Sequence, residues 1–88
     1  MPLRYKVYYS EQALIFSLRL SRKDQVLLTH FIGRLAEKPG AEGDYRQPDD
    51  EGRWIEVRVH GRHAVLYWVD HAVAKLMIVE IRLADRRS

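Results

Sequence analysis

From Trp54 onward, apolar and polar residues alternate with a period of two. Ile55, Val57 and Val59 fall on one side of an extended chain, and Trp54, Glu56, Arg58 and His60 on the other. The pattern predicts a strand with one buried face. Gly61-Arg62 then supplies a two-residue hairpin turn. His63 to Val69 reads as a second strand, Asp70 to Ala74 as a connection, and Lys75 to Leu83 as a third strand with Met77, Val79, Ile81 and Leu83 on one face. In the middle strand, Val65 and Tyr67 share one face, and Leu66 and Trp68 the other.

Earlier in the chain the period lengthens. Residues 3–9, LRYKVYY, suit a first strand, and Ser10 offers a hydroxyl to cap a helix over Glu11 to Leu20. Ser21, with Asp24 three residues on, opens a second helix in which Leu28, Phe31, Ile32 and Leu35 recur at helical spacing, until Lys38-Pro39-Gly40 stops it. Two short helices with hardly any linker predict a helical hairpin lying on a sheet. Ala41 to Gly52 is rich in Gly, Asp, Glu and Pro without apolar periodicity, which predicts a solvated loop. The expected fold is α+β in the order β-α-α-β-β-β, a small twisted antiparallel sheet with the helical hairpin packed on one face.

A chain of 88 residues has room for one domain with a single core. The absence of cysteine excludes disulfides and thiolate metal sites. No run approaches the ~18 consecutive apolar residues of a membrane span, and MPLRYKVYYSE lacks the apolar stretch of a signal peptide, so a soluble, cytoplasmic protein is expected. The net charge is +3. An acidic patch (Glu42, Asp44, Asp49, Asp50, Glu51) offsets a basic remainder that includes Arg19, Arg22, Lys23 and a series of later arginines. That asymmetry suits an anionic partner such as RNA or an acidic protein segment.

The stretch HGRHAVLYWVDH, residues 60–71, holds three of the four histidines. His60 and His63 flank the turn, but two imidazoles hold a metal poorly and no third and fourth ligand accompany them, so no metal or other cofactor is expected. His71 suits a backbone contact in the connection, and His30, beside Phe31, a partly buried packing role. No nucleophile elbow, phosphate-binding glycine loop or zincin motif is present. What remains is the polar side of the sheet, with Glu56 and Arg58 on one strand and Glu80 and Arg82 on another. Arginine, histidine and a carboxylate on a concave sheet can grip a phosphodiester and move protons around a ribose 2′-hydroxyl. The same residues also read as ordinary cross-strand ion pairs on a solvated face.

Over nearly its full length, the string of a short strand, a helical hairpin ending in RLAEKPG, a loop, GRWIEVRVHGRHAVLYWVDH and KLMIVEIRLADRR resembles the RelE/ParE superfamily of type II toxin–antitoxin toxins. The resemblance implies a twisted sheet with a helical hairpin on one face. It also implies a cognate antitoxin as partner and one of two activities. RelE-like members cleave mRNA on the ribosome, using basic residues on the sheet with a C-terminal tyrosine; ParE-like members poison DNA gyrase. Arg58 matches a basic position on the strand before the hairpin, whereas Glu56 stands where a second basic residue is usual and Ala64 where an arginine is usual. Arg86 and Arg87 match the basic residues before the terminal Val-Tyr, and the sequence reaches Ser88 about where that pair would begin. The family's catalytic set is thus incomplete, and an inactive relative that binds through its basic face is a third possibility.

Carried onto this chain, the resemblance implies a catalytic role for Arg58 and RNA binding by Arg86 and Arg87; a different pairing on the same surface, with Glu56 as base and His63 as acid, would replace the missing family residues, and Arg62 and Arg82 are expected to add to RNA binding. Trp54, Leu66 and Trp68 on an outward face add the expectation of an apolar surface covered by an antitoxin or by a second copy in a homodimer.

Overall fold

Ser10 turns the chain from strand to helix. Its Oγ accepts the Ala13 N–H at 3.1 Å and donates to the Val79 carbonyl at 2.7 Å. Ser21 caps the next helix in the same way, accepting the Asp24 N–H at 3.2 Å. Gln25 Nε2 reaches back to the Ser17 and Leu18 carbonyls at 3.1 and 3.2 Å, which satisfies acceptors left open by the end of the first helix.

The computed structural model describes residues 4–40 and 43–84. Its elements are β1 (Lys6–Tyr9), α1 (Glu11–Leu18), α2 (Arg22–Glu37), β2 (Tyr45–Pro48), β3 (Trp54–His60), β4 (His63–Asp70) and β5 (Lys75–Leu83). The strands form one sheet in the order β1-β5-β4-β3-β2. The expected α+β class and the hairpin packed on one face are found, with two corrections. The sheet is mixed, because β1 pairs parallel with β5. Side-chain alternation specifies faces and carries no information on strand direction, so the sequence could not supply this. Secondly, the loop expected over residues 41–52 contains a strand: β2 pairs antiparallel with β3 from Tyr45↔Val57 to Pro48↔Trp54. An edge strand needs a partner's backbone more than an apolar pattern, and Pro48 is tolerated at its end. Asp49 closes the β2–β3 turn by accepting the Glu51 and Arg53 N–H groups at 2.9 and 2.8 Å.

Across β3 and β4 the register is regular, with Glu56↔Tyr67 and Arg58↔Val65. The turn between them opens on Gly61, whose φ of 62° is one that a side chain disfavours. Between β4 and β5 the register slips: Leu66 faces Glu80 but Tyr67 faces Ile78, leaving Val79 as the extra residue of a bulge. The bulge splits the face expected for β5, leaving Ile81 on the helix side and Val79 on the other. Leu76, Ile78 and Ile81 all join Val65 and Tyr67 beneath the helices, in one core with Ala13, Leu28, Phe31, Ile32, Leu35 and Ala36. Val79 lies on the opposite side, against a smaller cluster of Ile55, Val57, Ala64 and Leu66. Helix α1 pins the irregularity: Gln12 donates to the Ile81 carbonyl at 3.0 Å and accepts the Ile81 N–H at 3.2 Å.

Candidate functional site

Because Val65 and Tyr67 face the helices, their partners Glu56 and Arg58 share that face. The polar side of β3 is therefore not a separate solvated surface. It is the strip of the helix-packed face that borders an open groove beside α2, lined by Arg58, Val59 and His60 of β3 and by Phe31, Arg34, Leu35 and Lys38.

Glu56 is held on both oxygens. Oε1 accepts the Gly43 N–H at 2.8 Å, and Oε2 pairs with Arg46 Nε at 2.6 Å. Gly43 approaches so closely that an added Cβ would meet the Val57 carbonyl at 2.8 Å. Next to it, Asp44 donates its N–H to the Val57 carbonyl at 2.8 Å and accepts the Val59 N–H on Oδ2 at 2.7 Å. The expected base is thus a carboxylate tied into the β2–β3 edge.

Opposite Glu56 lies Tyr67, 1 % exposed. Its hydroxyl is enclosed and has no hydrogen-bond partner of good geometry among the described residues. Burial raises its pKa above the ordinary 10.0, the charges of Glu56 and Asp44 raise it further, and the Arg58 guanidinium opposes them. Since the folded pKa is the raised one, the neutral phenol contributes stability that is present below the unfolded pKa of about 10 and is lost as pH rises through the folded value. Tyr67→Phe is expected to leave stability at pH 7 unchanged or raised by about 1 kcal/mol, because it removes a buried hydroxyl that has no well-aligned partner among the described residues. It should also flatten the alkaline loss, leaving the share of Tyr9, whose phenol is likewise raised by burial. Urea unfolding at pH 7 and pH 10.5 measures both effects. A loss at pH 7 above about 1.5 kcal/mol would mean that the hydroxyl is bonded after all.

The histidines separate. His60 stacks flat on Phe31, with ring centroids 4.4 Å apart and planes 11° from parallel. His63 is only 6 % exposed and meets Phe16 edge-on at 6.0 Å. It lies four residues along β4 from the partner of Glu56, about 13 Å at ~3.3 Å per residue. His63 thus shares the face of Glu56 and Arg58 but stands apart from Glu56, with its ring enclosed against Phe16. His71 contacts a side chain, the Tyr5 hydroxyl at 3.0 Å, and His30 is exposed where a packing role was expected. No group of three or more His, Asp or Glu able to hold a metal occurs among the described residues.

Of the arginines expected to bind RNA, the two described ones, Arg62 and Arg82, have different surroundings. Arg62 pairs with Asp24 at 3.1 Å, and this hydrogen bond is the main influence holding the Asp24 carboxyl below its usual range. Arg82 faces away from Arg58, on the side of the sheet shared with Ala64, where it reaches Gln47 at 3.4 Å and Glu80 at 3.6 Å. Arg86 and Arg87 lie outside the described residues. Three residues that sequence reasoning missed stand near Arg58 instead: Tyr67, Arg34 and Lys38. The last two follow Phe31 at i+3 and i+7, a spacing that marks one helix face.

Of the apolar residues expected to face outward, Leu66 is buried in the second cluster and Trp68 is half-buried under the Arg53 guanidinium, 4.4 Å from its ring centroid. Trp54 is exposed, and so are Leu14, Ile15 and Leu18 of α1 with Val26 and Leu27 of α2. The main uncovered apolar surface among the described residues is therefore on the helical hairpin. No helix there is long and apolar enough to cross a membrane.

No model of a known protein family matches the sequence, and no curated protein does. Solved structures do. The archaeal RelE–RelB complex from Pyrococcus horikoshii matches with a TM-score of 0.77 at 15% identity, covering 97% of this chain and 100% of that one. The isolated E. coli RelE toxin gives 0.76 at 17% identity, covering 96% and 88%. A YoeB/ParE toxin from Agrobacterium tumefaciens gives 0.62 at 16%, covering 91% and 99%. The chain has the RelE-type toxin fold.

Proposed function

We propose that this chain is the toxin of a toxin–antitoxin pair and that it cleaves mRNA on the ribosome. The observation that carries this reading is the position of Arg58: on the open strip of the helix-packed face of a RelE-type sheet, lining a groove with Arg34 and Lys38 and close enough to the Tyr67 hydroxyl for its charge to oppose the rise in that phenol's pKa. In this reading Arg58 grips the scissile phosphate and stabilises the charge that develops on it. Glu56, released from Arg46, takes the proton of the 2′-hydroxyl as that oxygen attacks phosphorus; the bond to the 5′-oxygen breaks, and the leaving oxygen takes a proton from solvent. His63, enclosed beside Phe16, supports the hairpin and does not reach the substrate.

The apolar surface of Leu14, Ile15, Leu18, Val26 and Leu27 fits an amphipathic helix of the antitoxin, a mode of binding that uses helix-spaced apolar anchors. The likeness to a solved RelE–RelB complex supports a protein partner. The second reading, inhibition of DNA gyrase, draws on the likeness to a YoeB/ParE toxin and on the carboxylate of Glu56 beside Arg58.

Tightly controlled induction of the gene, followed together by growth, mRNA integrity and chromosome state, tests the proposal. Growth arrest with cut transcripts and an intact chromosome is expected. Arrest with broken DNA and intact transcripts would replace the proposal with the gyrase reading, and unimpaired growth would leave an inactive relative.

A further inference from the structure

The groove between α2 and β3 has a composition that the cleavage reading does not use in full. Its volume of about 420 Å³ falls in the ~300–1,000 Å³ range of small-ligand sites. The His60 imidazole is stacked on Phe31; since Phe31 is nearly buried, it backs the imidazole from the protein side. Arg34 and Lys38, which also line the groove, are both exposed and have no ion-pair partner among the described residues. At the β2 end stands Asp44, whose Oδ2 is held by the Val59 N–H and whose Oδ1 has no donor among the described residues.

We infer that this groove is a subsite for one nucleotide of single-stranded RNA, with its base stacked on His60, its phosphates held by Arg34 and Lys38, and its ribose hydroxyl received by Asp44. The assignment rests on the ribonuclease reading for the strand's path past Arg58. A backed imidazole gives a flat, sequence-tolerant stacking surface, and cations beside it that have no ion-pair partner among the described residues match a phosphodiester. The carboxylate is the feature that selects the sugar. It repels a phosphate, but accepts a hydrogen bond from a 2′-hydroxyl, which DNA lacks.

Binding of short fluorescent single-stranded RNA and DNA of one sequence to the isolated protein tests this, over a range of salt concentrations. Stacking of a base on an aromatic ring corresponds to roughly a 5- to 150-fold change in affinity. His60→Ala should therefore weaken RNA binding at least about fivefold, and His60→Phe, which retains a flat ring, should restore most of it. The Arg34→Ala, Lys38→Ala double variant should reduce the slope of log affinity against log salt by about 1.4, or ~0.7 for each lost phosphate contact. DNA should bind more weakly than RNA, and Asp44→Ala should narrow that gap.

No binding by the parent, equal binding by a folded His60→Ala, or equal affinity for DNA each overturns the subsite. If ribosomal cleavage nevertheless continues, the ribonuclease reading stands alone. If the parent binds RNA with these dependences and induction cuts no transcript, the subsite stands and the ribonuclease reading falls.

Discussion

Arg58→Ala is expected to abolish toxicity and to reduce RNA cleavage by about 10²–10³-fold or more, the usual effect of removing one donor from a preorganised charge-stabilising site. The fold should remain stable to within about 1 kcal/mol, since the side chain lines a groove and fills no part of the apolar core. Arginine is suited to this task because its planar fork binds two phosphate oxygens together and stays charged at any physiological pH. Arg58→Lys separates those properties: a point charge that keeps RNA affinity while losing cleavage would show that the bidentate geometry matters. Induction assays on the purified, thermally characterised variants decide the matter. Arg58→Ala as toxic as the parent removes the groove as the active site and moves the gyrase reading ahead. A folded variant that no longer binds the ribosome would make Arg58 a positioning residue.

Local features of the fold were readable from the sequence where local rules decide them. Ser10 and Ser21 cap their helices as their spacing predicts, Gly61 makes the hairpin turn, and Val65 and Tyr67 share a face opposite Leu66 and Trp68. Features that depend on distant pairing were not readable. The strand β2 has no apolar pattern of its own and exists through the backbone of β3. The candidate site suffered most from this limit. Arg58 and Glu56 sit side by side along β3 as alternation requires, but which way that side faces is fixed by the pairing of Glu56 with Tyr67 and by what α2 covers. Alternation puts His63 on the same face as Glu56, but it cannot show that the ring is enclosed and turned to Phe16. Arg82 shows the same effect in reverse: the register through the bulge sends it to the face opposite Arg58.

The bulge at Val79 carries the largest expected effect on stability. Strict alternation would place Met77, Val79, Ile81 and Leu83 together, but with one residue unopposed Ile81 joins Ile78 beneath the helices and Val79 faces the other way. Ile81 is fully buried, and its backbone is bonded at both ends to Gln12. Ile81→Ala is expected to cost about 2–5 kcal/mol, through lost transfer energy and a cavity that the sheet cannot close. Against a total of roughly 5–15 kcal/mol for a small domain, that leaves a protein close to unfolding, with its midpoint lowered by at least ~8 °C. Val79→Ala, at a half-buried site in the smaller cluster, should cost about half as much or less. The decisive comparison is the double variant. Ile78 and Ile81 belong to one cluster beneath the helices, so their substitutions share a cavity and their costs should not sum. Thermal and urea unfolding of the two single variants and the double variant give the coupling directly. Additivity to within about 0.5 kcal/mol would place the two side chains on separate faces and remove the bulge from the fold.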